Sequence, residues 1–132
     1  MKTSLLPLQK MFIDTLRADT ALMDKITGIY DDVSKKAIKP YVTIGEPNVT
    51  PFDTKTSTGE NIIWTLHCWS SYKGKKETYE ILNLILQAMS KSPLTVDGFT
   101  LFRMEIVNMN VITDIDGETR HGILQLRLYV ND

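Results

Sequence analysis

Two stretches in which every second residue is apolar constrain the fold of this chain most strongly. The first covers residues 62–69, and its apolar face is formed by Ile62, Trp64, Leu66 and Cys68. The second covers residues 123–130, with one face formed by Leu124, Leu126, Leu128 and Val130. Successive side chains of a strand point to opposite faces of its sheet. Both stretches therefore predict strands that bury one face.

A third β-rich stretch, residues 99–115, changes the phase of its alternation midway. Its first half has apolar residues at even positions, and its second half has them at odd positions: Phe102, Met104, Ile106, then Val107, Met109, Val111. The change between Ile106 and Val107 predicts a β-bulge or a corner between two strands. Asp116 and Gly117 then form a turn signal. The stretch and the last strand are therefore expected to form an antiparallel hairpin.

Three segments have helical spacing. The first follows the N-cap candidates Thr3 and Ser4, and its apolar stripe is Leu5, Leu8, Phe12 and Leu16. A short second helix is expected through Leu22, ending at Gly28. The strongest helix covers residues 77–91, with a core stripe of Tyr79, Leu82, Ile85, Leu86 and Met89 and a second stripe of Ile81, Leu84 and Ala88. Two sides of this helix are therefore expected to be covered.

The remaining elements are two short strands and a long loop. Residues 29–30 and 41–44 predict strands, the second ending at Gly45. Residues 46–60 contain Pro47, Pro51 and Gly59 with many small polar residues, which predicts a long loop that stays mobile in the free subunit. The element order predicts one domain over residues 1–132. It is an α+β fold, with helices packed on one face of a mostly antiparallel sheet.

The sequence contains no convincing catalytic, metal or cofactor motif. His67 and Cys68 are neighbours on a predicted strand, so their side chains point to opposite faces and cannot share one metal ion. His121 alone is expected to lack the further ligands that a metal site needs, and Cys68 is expected to be a buried structural thiol. No catalytic residue, metal ligand or cofactor is therefore expected, and the chain is expected not to be an enzyme.

The phosphate-binding and acid–base alternatives are also weak. Gly74, Lys75 and Lys76 precede a helix, but the earlier glycine of a phosphate loop is absent and Lys76 replaces its Ser or Thr. The acidic residues cluster in turn-like segments, where Asp is favoured for backbone reasons: Asp31, Asp32, Asp114, Asp116 and Glu118. A loosely held cation at the last three is the open alternative.

Charge and hydropathy argue against two classes of partner. The formal net charge is -1, without the basic stripe that nucleic-acid binding requires. No apolar stretch approaches the length of a membrane span, so no membrane partner is expected. Contact with other protein chains is the expected role. Its candidate residues are Pro47, Val49, Phe52, Thr54, Lys55, Trp69, Tyr72, Ile81, Leu84 and Ala88. The open alternative is that Trp69 and the second helix stripe complete the domain's own core.

The order of short motifs resembles the tail completion proteins of long-tailed bacteriophages, also called tail terminator or tail-to-head joining proteins. The motifs are Ala18-Asp19-Thr20-Ala21-Leu22, Gly28-Ile29-Tyr30-Asp31, Lys39-Pro40-Tyr41-Val42-Thr43-Ile44-Gly45, Leu66-His67-Cys68-Trp69-Ser70 and Tyr72-Lys73-Gly74. The resemblance extends over essentially the whole chain.

The resemblance implies a non-enzymatic virion protein that is made in the host cytoplasm. It implies a homo-hexameric ring at the head-proximal end of the tail tube, assembled from subunits that are monomers when free. The ring ends tube growth on the major tail tube protein and joins the tail to the head connector or completion protein, while DNA only passes through the lumen. Two alternatives stay open: another neck or head-completion protein, and a small ligand-binding regulatory domain.

Overall fold

A computed structural model describes residues 2–132, which form three helices and a five-stranded sheet. The helices are α1 (Leu5–Arg17), α2 (Thr20–Lys25) and α3 (Lys76–Ser90). The strands are β1 (Ile29–Tyr30), β2 (Tyr41–Pro51), β3 (Gly59–Ser70), β4 (Thr100–Thr113) and β5 (Arg120–Asn131). The element order and the α+β class predicted from the sequence are confirmed. Within residues 2–132, no helix combines the length and apolarity that a bilayer span requires.

The strand order across the sheet is β1-β2-β3-β5-β4, so β1 and β4 lie at its two edges. Only β1 and β2 are parallel; the other pairs are antiparallel. The predicted phase change is confirmed as a β-bulge, because the register of β4 against β5 shifts between Ile106 and Asn108. The register of β4 also shifts between Leu101 and Arg103, and a further bulge interrupts β2 between Ile44 and Pro47.

The core lies between the three helices and one face of the sheet. The buried helix residues include Leu8, Phe12 and Ile85, and the sheet contributes the apolar faces of β3 and β5 predicted from their alternation. The rings of Phe12 and Trp64 lie 5.3 Å apart between centroids, inclined at 60°. The other face of the sheet, the open face, points away from the three helices and holds half-buried side chains such as His67 and Trp69.

The first turn of α1 is held by a carboxylate from β3. Glu60 accepts hydrogen bonds from the backbone N–H and the hydroxyl of Ser4 at 2.7 and 2.6 Å, and from the hydroxyl of Thr3 at 2.8 Å. Ser4 itself makes no side-chain cap. Burial alone would raise the pKa of Glu60, but these three hydrogen bonds outweigh it and lower the pKa below its usual value. The N-terminus of α1 is therefore fixed to the sheet.

The predicted loop over residues 46–60 is too long. Strand β2 continues to Pro51 and β3 begins at Gly59, so only residues 52–58 connect them. The connection is tied at its base, because the amide of Phe52 donates to the carbonyl of Gly59 at 2.8 Å. Prolines and a bulge make this part of β2 resemble a loop. Both are tolerated there, because β1 pairs only with Val42 and Thr43 and leaves the rest of β2 unpaired on that side.

The two stripes predicted on α3 are only partly correct. Tyr79, expected in the core, is 57% exposed. Ile81 and Ala88, proposed as contact residues for another chain, are 0% and 3% exposed. Both pack inside the subunit, so neither can reach a neighbouring chain and both assignments were wrong. Leu84 is half-buried against the core.

Candidate assembly surfaces

Strand β4 is a long edge strand with exposed apolar side chains. It runs for 14 residues and pairs only with β5. Five of its large apolar side chains are at least 42% exposed: Phe102, Ile106, Val107, Met109 and Ile112. Proteins normally shorten or charge such an edge, or interrupt it with proline, to prevent pairing with other chains. An edge of this length and composition indicates a contact surface.

A shallow groove lies between α3 and β4 on the helix-covered face of the sheet. Leu86 and Met89 of α3 line it from one side, and Met104 and Ile106 of β4 from the other, around a volume of about 340 Å³. Ile106 and Met109 lie opposite the buried Leu126 and Leu124 of β5, so they extend the helix-covered face beyond the helices. The apolar face of the sheet is therefore wider than the helices that cover it.

A second apolar surface lies at the other side of the subunit, which we call the α1–β2 notch. It is a cleft of about 410 Å³, and its apolar walls are Leu5, Leu6, Ile44, Pro47 and Trp64. Leu6 is 74% exposed at its rim. The indole N–H of Trp64 donates to the carbonyl of Gly45 at 2.8 Å, which fixes the β2 bulge as the floor of the cleft.

The open face of the sheet carries an aromatic and imidazole cluster. The rings of Trp69 and His121 stack at 3.7 Å between centroids and 13° between planes. Nδ1 of His67 lies 2.7 Å from Nε2 of His121, in hydrogen-bond contact. From the sequence, His121 was considered only as a possible metal ligand, so this contact was not predicted. The register of β3 against β5, which places Trp69 opposite His121, brings the rings together.

The histidine pair makes stability depend on pH in a defined direction. Burial lowers the pKa of His67, opposed in part by Glu46. Burial, and next the charge of His67, lowers the pKa of His121, opposed in part by Asp114. Both histidines therefore bind protons less readily in the folded protein than in the unfolded chain. Their contribution to the free energy of unfolding is complete above the unfolded pKa of about 6.5, and it is lost as pH falls through the lower folded values. We expect the melting temperature to decrease between pH 7 and pH 5.5.

The chain offers a clean control for this expectation, because it has 2 histidines in all. In the double variant His67→Gln/His121→Gln, the melting temperature should change much less over the same interval. Carboxylates with lowered pKa values, such as Asp19 and Glu60, titrate below this window. An equal slope in both proteins would contradict the assignment to the histidines.

The structure places the remaining predicted contact residues at separate locations. Pro47 lies in the α1–β2 notch, and Val49 packs against the core from the same strand. Phe52, Thr54 and Lys55 are exposed on the connection between β2 and β3. Trp69 belongs to the open face, and Tyr72 is 50% exposed beyond the end of β3. The residues therefore form no single surface.

The structure also gives structural roles to the residues with chemically reactive side chains. Cys68 is fully buried, and burial raises the pKa of its thiol to about 12. Asp116 accepts hydrogen bonds from the Thr119 hydroxyl, then from the Thr119 and Glu118 amides, which lowers its pKa to about 2. Its carboxylate organises a turn, as predicted. Residues 2–132 bring together no group of three His, Cys, Asp or Glu that could hold a metal ion.

From the sequence, no contact residue was assigned to β4, and only Pro47 of the α1–β2 notch was predicted as one. A signal for β4 was present, because an edge strand with apolar residues in both phases of alternation must expose some of them. The notch had no such signal, since it joins residues about 40 positions apart in the chain. These two surfaces, with the open face, are the candidate sites of assembly.

Comparison with known proteins decides the family. The family model described as "Tail completion protein gp17" matches residues 11–131. The chain belongs to the gp17 tail completion family. "Tail completion protein gp17" of Bacillus phage SPP1 is 37% identical over 125 residues, covering 95% of this chain and 92% of the relative. The resemblance stated from sequence motifs is thereby confirmed, and the family is one of structural phage tail proteins.

Two solved structures share the fold of this tail completion family member. The structure described as "Structure of bacteriophage SPP1 gp17 protein" has a TM-score of 0.68 at 37% identity, covering 92% of this chain and 86% of that one. A chain of the "Virion of native gene transfer agent (GTA) particle" has a TM-score of 0.87 at 20% identity, covering 95% of both chains. At that identity the second likeness shows the fold alone.

Proposed function

We propose that this chain completes a phage tail as a non-enzymatic ring. Copies assemble on the head-proximal end of the tail tube, end its growth and join the tail to the head connector. The observation that carries the proposal is the membership of the gp17 tail completion family over residues 11–131. The chain would be made in the host cytoplasm and would function in the virion.

The geometry of the subunit supports a ring. A closed ring built from one repeated head-to-tail contact needs two different surfaces on each subunit. The β4 edge and the α1–β2 notch are two such surfaces, and they lie towards opposite edges of the sheet. The ring that this family resemblance implies is a hexamer, with the major tail tube protein on one side and the head connector or completion protein on the other.

The charge of the chain fits a conduit through which DNA only passes. With 15 Lys and Arg against 16 Asp and Glu, the subunit is close to neutral. A lumen that held DNA tightly would need a basic excess, because affinity for the phosphate backbone comes from neutralised phosphates and released counterions. Near-neutrality permits DNA to move through the ring.

Electron microscopy of a phage that lacks this gene tests the proposal. We expect filled heads beside unjoined tails, with tails of irregular length because tube growth is not stopped. Purified protein added to isolated tails should bind to one end of each tube and restore joining to filled heads. The same protein added to isolated heads alone is the control. Normal virions in the mutant would contradict the proposal, and binding to heads alone would favour a head-completion role.

A further inference from the structure

The two edges of the sheet differ in their capacity for contact. On the β2 side, β1 pairs only with Val42 and Thr43, and the rest of the edge carries Pro47, Pro51 and a bulge. Proline lacks the N–H that strand pairing uses, so this edge is protected against strand addition. A neighbouring chain must therefore contact the β2 side through side chains, and the α1–β2 notch is the cavity on this side that can receive them. The β4 edge has no proline and exposes aliphatic side chains.

The exposed side chains of β4 and the α1–β2 notch lie at the same position along the direction of the strands. Across the paired strands, Ile44 is aligned with Leu66, Leu124 and Met109. One step further along, Pro47 is aligned with Trp64, Leu126 and Ile106. Copies placed side by side with their strands in the same direction would therefore bring Ile106 and Met109 level with the notch of the next copy.

At this position along the strands, the polar groups on the β4 side can form hydrogen bonds with those that border the notch. Residues 106–113 of β4 carry no charge, as is typical for the centre of a protein interface. The notch is bordered by the carboxylates of Glu46 and Asp31. Asn108 and Asn110 of β4 are exposed at the matching level on the open face, opposite Gln125 and Ile123. Glu46 and Asp31 also border the open face beside His67, where these side-chain amides could donate to their carboxylates.

Charges at one end of the sheet are complementary between the two sides. The turn between β4 and β5 carries Asp114, Asp116 and Glu118. The start of β2 lies at the same end of the sheet, because Tyr41 is aligned with Trp69, His121 and Ile112. The segment leading into it carries the exposed Lys35 and Lys36. Side-by-side copies would place the acidic turn of one near these lysines of the next.

We propose that the β4 edge of one copy binds the α1–β2 notch of a second copy, with Ile106 and Met109 entering the cleft. The inference rests on the proposed ring function and identifies its repeated contact. The contact is head-to-tail, since each copy offers β4 to one neighbour and the notch to the other, which is the arrangement that closes into a ring.

Two charge variants test this contact. Met109→Glu would place a carboxylate beside Glu46 and Asp31 of the neighbour, and Leu6→Glu would place one in the apolar cleft. Both positions are exposed in the subunit, at 44% and 74%, so the fold should be retained, which thermal melting checks. Tyr79→Glu, at a 57% exposed position outside both surfaces, is the matched control. Should Met109→Glu not fold, Met109→Gln replaces it.

Native mass spectrometry of the full chain, alone and with isolated tails, measures the outcome. In the presence of isolated tails, the wild type and Tyr79→Glu should form rings, and each of the other variants alone should remain monomeric. An equal mixture of Met109→Glu and Leu6→Glu should form dimers and nothing larger, because only one intact contact is available between them.

The other outcomes separate this inference from the proposed function. Rings formed by both Met109→Glu and Leu6→Glu would overturn the contact and leave the ring function standing. Dimers formed by Leu6→Glu alone would show that β4 pairs with itself and would also overturn it. Monomers of the wild type under all conditions, including with isolated tails, would overturn the ring function and the contact with it.

Crosslinking provides a second readout of the same contact. A mixture of Leu6→Cys and Met109→Cys, treated with a short bifunctional maleimide, should give a crosslinked heterodimer. The native Cys68 is fully buried and should not react. Crosslinked homodimers of Met109→Cys without heterodimers would contradict the head-to-tail contact.

Discussion

Replacing Phe12 with alanine is expected to lower the free energy of unfolding by about 3–5 kcal/mol. The side chain is fully buried between α1 and the sheet, and its ring packs against Trp64 at 5.3 Å between centroids. Truncation removes this aromatic contact and leaves a cavity that the surrounding strands cannot fill. Because domains of this kind are stable by about 5–15 kcal/mol, much of the total would be lost. Urea denaturation monitored by circular dichroism measures the change.

Two controls define the origin of this effect. Phe12→Leu retains most of the apolar volume and should cost clearly less than Phe12→Ala. Leu6→Ala, on the same helix at a 74% exposed position, should change the free energy of unfolding by about 0.5 kcal/mol or less. If Phe12→Ala cost no more than Leu6→Ala, the described core would be incorrect.

The second large effect is expected at Gly122 on β5. This residue lies directly opposite Cys68 on β3, beneath the start of α3. A Cβ atom at Gly122 would clash with the sulfur of Cys68 and lie 2.9 Å from Cγ2 of Thr78. Gly122→Ala should therefore lower the free energy of unfolding by about 1–3 kcal/mol through overpacking. Thermal and urea denaturation measure the loss.

A double-mutant cycle tests the cause of the loss at Gly122. Cys68→Ala removes the sulfur and should by itself be mildly destabilising, because it opens a small cavity. Added to Gly122→Ala, it should recover part of the loss, since the new methyl group occupies the vacated space. Additive losses in the double variant would show that the clash lies with Thr78 and α3, and Thr78→Ser, which removes Cγ2, would then recover stability.

The elements that the sequence predicted well are those defined by local periodicity. The alternation in residues 62–69 and 123–130 identified the buried faces of β3 and β5 because a period of two requires no knowledge of the neighbouring strand. The bulge at Ile106 was predictable for the same reason. The end of β2 was not, because Pro47 and Pro51 are typical of loops and become compatible with a strand only at an edge.

The candidate surfaces depended on information that local patterns do not contain. The contact between His67 and His121 requires the register of β3 against β5, and the α1–β2 notch requires the packing of α1 over the β2 bulge. Tyr79 was placed in the core because it follows the apolar period of α3, yet it lies on the exposed side of the first turn. The spacing of apolar residues along a helix identifies its buried stripe, but it does not show at which residue the burial ends.

The complete burial of Cys68 has a consequence for a virion outside its host. Oxidation to a sulfenic acid or to a mixed disulfide requires a thiolate that an oxidant can reach. The sulfur is inaccessible, and burial raises the pKa of the thiol to about 12. In a particle built with this subunit, this thiol is therefore protected from oxidation in aerated medium.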